Sequence, residues 1–324
     1  MYMVRFDLRA PGEAADARAD RYAAAIDMCE WAEANGGIAA VFSEHHSSED
    51  GYLPSPITFA AAVAARTSTI PIMIAACIAP LHDPIDLAEQ MVVLDHISRG
   101  RVSYVLGLGY RHEEYELYGR DRSRRGARME EVIGALQGAF SGAAFEYEGR
   151  TIRVTPDPFT SGGPPLSYGG GSEAAVRRAG RLGLDFVGEN PRADLEAAYR
   201  EAATAAGRTP GNFMVPGVNP VTVAVVAEDV DTGWAEHGPH LLHDARTYGA
   251  WLATDGDETA VQGSRATTVE ELRAESGPYR VVDADGARDL LATNGYLSLM
   301  PLCGGTPPDL GWAALRRAAA VAAG

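Results

Sequence analysis

Apolar runs and helical patterns alternate from one end of the chain to the other, and that alternation leaves few folds open. Eight runs read as strands: Val4 to Leu8, Ile38 to Ser43, Pro71 to Cys77, Arg101 to Leu106, Pro165 to Tyr168, Asp185 to Gly188, Val221 to Ala227 and Tyr296 to Leu302. Several of them, such as Ile38-Ala39-Ala40-Val41-Phe42, are apolar without a break rather than at every second residue. Such a strand fits a parallel sheet covered on both faces, because only there do both its sides meet apolar neighbours. Parallel strands need long crossovers, and the segments between these runs have helical periodicity. Eight strand–helix units predict an α/β fold, a (β/α)8 TIM barrel with loop excursions, built as a single domain over residues 1–324. The competing arrangement is a doubly wound open sheet, whose GxGxxG turn after the first strand is missing here.

Local signals agree with this map. Ser55 before Pro56 and Asp83 before Pro84 each place a capping oxygen ahead of a proline at the first helical position. The helix after Asp83 is expected to end near Ser98, with Gly100 free to turn left-handed. Two stretches break the alternation and are expected as excursions, near residues 141–165 and 240–280. The first holds Phe145 to Val154, with Glu148-Gly149-Arg150 as a hairpin turn; the second centres on a polar run from Asp255 to Glu275.

Composition removes whole classes of chemistry. The chain contains no lysine, so all 28 of its basic side chains are arginine. A guanidinium stays protonated and cannot form an imine, which excludes Schiff-base and pyridoxal-phosphate catalysis, and a Walker P-loop lacks its lysine. With a net charge of -16 there is no basic field for nucleic acid or an anionic membrane surface. Cys29, Cys77 and Cys303 are odd in number and far apart, with no metal-binding spacing, and no stretch has the length of an apolar span. These features predict a soluble cytoplasmic protein without a metal.

Active sites of α/β folds gather at the C-terminal ends of the strands, where loops vary without breaking the core. Those ends here carry Glu44, His45 and His46; Ala75, Ala76 and Cys77; Gly107, Gly109, Tyr110 and Arg111; Gly169, Gly170, Gly171 and Ser172; Glu189 and Asn190; and Cys303. Taken alone, adjacent histidines are often satisfied by a backbone carbonyl and by water. A glycine-rich turn leading into a helix exposes N–H groups that can hold a phosphate, and Ser172 at the helix start can add its hydroxyl.

Several of these pieces occur together and in order: Ser43-Glu44-His45-His46 with Pro54-Ser55-Pro56; Ala64-Ala65-Arg66-Thr67; Pro80-Leu81-His82-Asp83-Pro84; Leu94-Asp95-His96-Ile97-Ser98-Arg99-Gly100-Arg101; Gly107-Leu108-Gly109-Tyr110-Arg111 with Glu114 and Gly119; and Gly169-Gly170-Gly171-Ser172. In this set the chain resembles the bacterial luciferase-like family of flavin- and F420-dependent oxidoreductases, from Val4 to about Leu184. The resemblance implies a barrel whose mouth binds FMN, or in one branch F420. It also implies a non-prolyl cis peptide at Ala75-Ala76 or its neighbour supporting the flavin ring, with the phosphate at Gly171 and Ser172. His45 matches the family's catalytic histidine. Glu44, Ala75, Ala76, Gly107, Gly109, Tyr110, Arg111, Gly169, Gly170, Gly171 and Ser172 become the expected cofactor-binding residues, and His46, His82 and His96 structural ones.

The chain departs from the luciferase pattern, in which a phosphate-binding arginine after strand four is preceded by a reactive cysteine: Leu108 and Gly107 stand in those places, and Arg111 or Arg177 is left to supply the charge. Light emission is therefore not carried over. The expected function is a monooxygenase that uses reduced FMN from a separate reductase, with O2, on a small organic substrate, as a homodimer. An F420-dependent dehydrogenase or reductase and a non-catalytic flavin-binding homologue are the alternatives. A metal-dependent hydrolase with His45, His46, His82 and Asp83 as ligands is disfavoured, since the first strand ends in Asp7-Leu8-Arg9 rather than a His-x-His pair. His237, His240 and His243 are expected on a partly solvated helix face, without a carboxylate partner.

Overall fold

A computed structural model describes residues 1–255 and 264–324. In chain order the elements are β1 (Tyr2–Phe6), α1 (Ala15–Ala34), β2 (Gly37–Phe42), α2 (Pro56–Arg66), β3 (Ile72–Cys77), α3 (Pro84–Ser98), β4 (Val102–Leu106), α4 (His112–Leu117) and α5 (Arg125–Phe140). Then come β5 (Phe145–Tyr147), β6 (Arg150–Ile152), β7 (Leu166–Gly170), α6 (Glu173–Leu182), β8 (Asp185–Gly188), α7 (Glu196–Ala205) and β9 (Phe213–Met214). The chain ends with β10 (Val223–Val226), α8 (Val230–Asp255), α9 (Val269–Glu275), β11 (Tyr279–Val282), α10 (Ala284–Asn294), β12 (Leu297–Leu299) and α11 (Pro308–Ala323).

The chain divides into two compact units. The first comprises Met1–Pro54, Thr69–Pro71 and Val218–Gly324; the second comprises Ser55–Ser68 and Ile72–Gly217. In the first, parallel strands run in the order β11, β10, β12, β1, β2. In the second, the parallel order is β3, β4, β7, β8, β9, and β5 and β6 form a separate antiparallel hairpin. All eight expected strands are present, with ends shifted by a few residues, and the α/β class with parallel pairing holds.

Two strands were not anticipated. β9 has only two residues, and β11 follows a polar run with Arg280 interrupting its apolar pattern. Within the stretch expected as the 240–280 excursion, α8 continues to Asp255 and α9 and β11 follow. Residues 256–263 of the expected polar run lie outside the described residues. Pro239 inside α8 and the glycines at 233, 238 and 249 weakened its helical signal. The helix is held by its inner face, where Trp234 and Leu241 pack with Val223, Val225, Tyr279 and Val281.

The 141–165 excursion contains the expected hairpin, with Glu148 and Gly149 both at positive φ as a two-residue turn of this twist requires. Asp83 caps α3 by accepting from the Ile85 and Asp86 N–H groups. Ser55 makes no such bond; its hydroxyl pairs with Thr58. At the other end of α3 the left-handed cap residue is Arg99, followed by Gly100, also at positive φ. All three cysteines are buried outside any disulfide, and burial pushes the Cys29 and Cys303 thiols up.

His237 corrects the expectation of a partly solvated histidine face, since it is buried. Burial, aided by His240 and Arg317, pushes its imidazole down to about 4. The unfolded chain takes up this proton near pH 6.5, and the folded chain resists until about pH 4. The associated stability is therefore complete above pH 6.5 and is lost as pH falls through that window. Urea unfolding at pH 7.5 and 4.5 is expected to show His237→Leu losing about 2.5 kcal/mol less than the parent between the two pH values. Equal losses in both proteins would remove His237 from the acid sensitivity.

Candidate functional site

β2 delivers Ser43-Glu44-His45-His46 at its C-terminal end. His46 Nε2 and Glu44 Oε1 lie 2.8 Å apart, and both residues are buried, so the outer members of the triplet hold one another. The contact commits one oxygen of Glu44 and one ring nitrogen of His46. His45 points elsewhere. Its backbone N–H donates to Leu53 O at 3.3 Å, and its imidazole lies against aromatic rings.

The largest fully buried side chain of this unit is Arg9, just beyond β1. Three carboxylates surround its guanidinium: Asp7 at 3.1 Å, Asp244 at 3.3 Å and Asp50 at 3.5 Å. Each has a further partner. Asp7 accepts from the Arg9 backbone N–H, Asp244 from the Tyr279 hydroxyl at 2.7 Å, and Asp50 pairs with His243 Nε2 at 2.8 Å. Burial pushes the Asp7 carboxyl up to about 7, with Arg9 pulling the other way and Asp244 and Asp50 adding to the rise. For Asp50 burial is outweighed by the His243 hydrogen bond and the Arg9 cation, which hold its carboxyl well below the usual range. His243 thus has the carboxylate partner that the sequence reading denied it. Histidine spacing within α8 gives no view of Asp50, nearly two hundred positions away.

Helical geometry makes α8 a contributor to this cluster. Asp244, Tyr248 and Trp251 fall at i, i+4 and i+7, on one face. Tyr248 OH lies 2.8 Å from Tyr52 OH, which lies 2.5 Å from Ser43 Oγ. The rings of Tyr52, Tyr248 and Trp251 form a triangle with centroids 5.4 to 6.4 Å apart. The Arg9 guanidinium carbon is 4.7 to 5.1 Å from all three, within cation–π range. Trp251 also lines a cleft of about 470 Å³ along α8, with Leu242, His243, Arg246, Thr247 and Ala250 among its walls.

The strand ends of the second unit carry the expected cofactor residues. The Ala75-Ala76 peptide is cis. Gly107, at the end of β4, is so close to it that a Cβ there would lie 2.9 Å from the Ala76 methyl, and its N–H donates to Cys77 O. A Cβ on Gly109 would meet the Ile78 side chain at 2.6 Å; Tyr110 is half-buried beside it. β7 runs through Gly169 and Gly170 into Gly171, and Ser172 caps α6 by accepting from the Ala175 N–H. Asn190 approaches from the end of β8, donating to Gly171 O at 3.4 Å, and its own Oδ1 is buried without a hydrogen-bond partner among the described residues. Glu189 donates its backbone N–H to Gly170 O.

The two arginines left to balance a phosphate are both engaged. Arg111 is buried with Glu114 at 3.4 Å, and Arg177 is bound to Glu173 at 2.8 Å and Glu201 at 3.0 Å. Of the other histidines expected to be structural, His96 has its Nε2 2.9 Å from Asp157 O, and the His82 ring lies 6.4 Å from that of Tyr118.

The family model for luciferase-like monooxygenases matches residues 1–300. The chain belongs to this family. Over 149 residues it is 29% identical to the oxygenase component of the flavin-dependent trigonelline monooxygenase of Acinetobacter baylyi, a match covering 44% of this chain and 41% of that one. The chain thus spans less than half the length of the curated relatives it matches. Among solved structures, monooxygenase RslO1 from Streptomyces bottropensis superposes over 98% of this chain and 97% of its own, with a TM-score of 0.78 at 21% identity. The oxygenating constituent of 3,6-diketocamphane monooxygenase from Pseudomonas putida, in complex with FMN, has a TM-score of 0.67 at 18% identity, covering 95% and 96% of the two chains. At these identities the likeness establishes a shared fold.

Proposed function

We propose that the protein is the oxygenase of a two-component flavin monooxygenase, taking reduced FMN from a separate reductase and acting on a small organic substrate with O2 as a homodimer. The observation that carries this reading is the family match over residues 1–300 with His45 in place at the end of β2. The second unit fits the cofactor. Gly171 and Ser172 lead into a ten-residue helix whose first N–H groups and dipole favour a phosphate. Ala75, Ala76 and Gly107 leave a surface without bulky side chains for a flat ring.

Bound reduced FMN would supply two electrons, so that one oxygen atom of O2 enters the substrate and the other leaves as water. In this reading His45 moves the proton that such a reaction requires, as an imidazole can at neutral pH. Glu44 fixes His46 and through it the backbone on either side of His45. Burial of this strand end restricts bulk water, which would otherwise compete for the same proton.

Titration of the purified protein with FMN, reduced FMN and F420, followed by absorbance and fluorescence, tests the cofactor. FMN or its reduced form is expected to bind more tightly than about 100 μM, roughly -5.5 kcal/mol. Binding of F420 alone would replace oxygenation by hydride transfer, and binding of none would overturn the reading. FMN binding with no O2 consumption across a substrate panel would instead identify a flavin-binding homologue that has lost catalysis.

A further inference from the structure

The rings around His45 form a specific geometric arrangement. Tyr52, Tyr248 and Trp251 make a near-equilateral triangle, and the His45 imidazole lies 4.8 Å from Tyr52, 4.8 Å from Trp251 and 6.0 Å from Tyr248. The Arg9 guanidinium carbon is also close to all three, at 4.7, 4.9 and 5.1 Å. Two groups at such similar distances from the same three points must lie on opposite faces of the triangle, because on one face they would overlap. The triangle is therefore a partition, with a buried cation on one side and the imidazole on the other.

Each ring is fixed by something other than His45. Tyr52 and Tyr248 join hydroxyls, Ser43 holds the far end of that pair, and Arg9, anchored by Asp7, Asp50 and Asp244, lies against all three rings. Tyr52 meets His45 at 86°, an edge-on contact. We propose that Tyr248 and Trp251 of α8, with Tyr52, are positioning residues for His45: the Arg9-backed triangle holds the imidazole in one orientation, so α8 sets the geometry of a group carried by β2. The proposal rests on the reading of His45 as the proton-handling residue, but its structural half stands independently.

The test uses full-length protein with isotopically labelled histidine rings, comparing the parent with Trp251→Ala, Trp251→Phe, Tyr248→Ala, Tyr248→Phe and His45→Gln, the last to assign the signal. The His45 ring proton is expected to lie upfield in the parent, shielded by its neighbours. It should move downfield in both alanine variants and return most of the way in both phenylalanine variants. Turnover should follow the same order, with kcat down about 10²-fold in Trp251→Ala and FMN affinity unchanged, because misplacing a reacting group by an ångström costs about that much. A His45 signal that stays in place in folded Trp251→Ala and Tyr248→Ala would overturn the proposal; where an alanine variant does not fold, Trp251→Leu or Tyr248→Leu, which keeps more volume without the ring, is read in its place, and an unmoved signal there overturns it equally. If the signal moves as expected while His45→Gln leaves turnover unchanged, the positioning stands and the catalytic reading of His45 fails.

Discussion

Arg9→Met is expected to destabilise the protein by about 3–5 kcal/mol, the usual consequence of taking one partner out of a buried ionic cluster. Methionine replaces much of the side-chain volume, so the loss is electrostatic rather than a cavity. Without the guanidinium, Asp7, Asp50 and Asp244 share an interior site with no resident cation between them. Asp7 relieves part of this strain by holding a proton, since burial already pushes its carboxyl up. That gives the loss a pH signature. A carboxyl whose folded-state affinity for protons is raised makes stability fall as pH climbs from about 4 to its folded value, because the unfolded chain has already released the proton. Removing Arg9 raises the affinity further, so denaturant unfolding should show the variant's deficit growing from pH 5 to pH 8. A deficit below about 1 kcal/mol at pH 8 would mean that the carboxylates do not depend on this cation.

His45→Ala is expected to lower oxygenase turnover by about 10²–10⁴-fold, the range usual for loss of a positioned proton-transfer group. FMN affinity should be unchanged, because every residue proposed to hold the phosphate is in the other unit. The measurement is O2 consumption with reduced FMN and a substrate found by screening, with a flavin titration of the same sample. Unchanged turnover would remove His45 from the reaction; a large loss of FMN affinity would make it a binding residue instead. His46→Ala should behave differently, with its defect appearing as lost stability, because it leaves buried Glu44 without the imidazole at 2.8 Å.

Strands such as β2 and β3 were legible because an unbroken apolar run has few other uses, and Asp83-Pro84 announced the start of α3 through a cap that the structure contains. The turn at Gly169-Gly171 was legible from its glycines at a strand end, and the cis peptide at Ala75-Ala76 through resemblance alone. β11 and the length of α8 were not, because each relies on packing rather than local pattern. The Arg9 cluster was hidden for a different reason. Charged residues at a strand end read as solvated, and nothing local shows that Asp7-Leu8-Arg9 will meet Asp50 and Asp244. Only the stripe Asp244, Tyr248, Trp251 carried a hint, since an aspartate in line with two aromatics on a helix implies a buried partner.

The cysteines have an experimental consequence. With every thiol buried, and those of Cys29 and Cys303 pushed up by that burial, the folded chain offers alkylating reagents almost no thiolate. Modification must then wait for an opening motion. Cys29 in α1 and Cys303 after β12 report on one unit, and Cys77 in β3 on the other. Timed alkylation followed by peptide mass analysis thus reads the opening of each unit separately, through native sulfur atoms and without an added label.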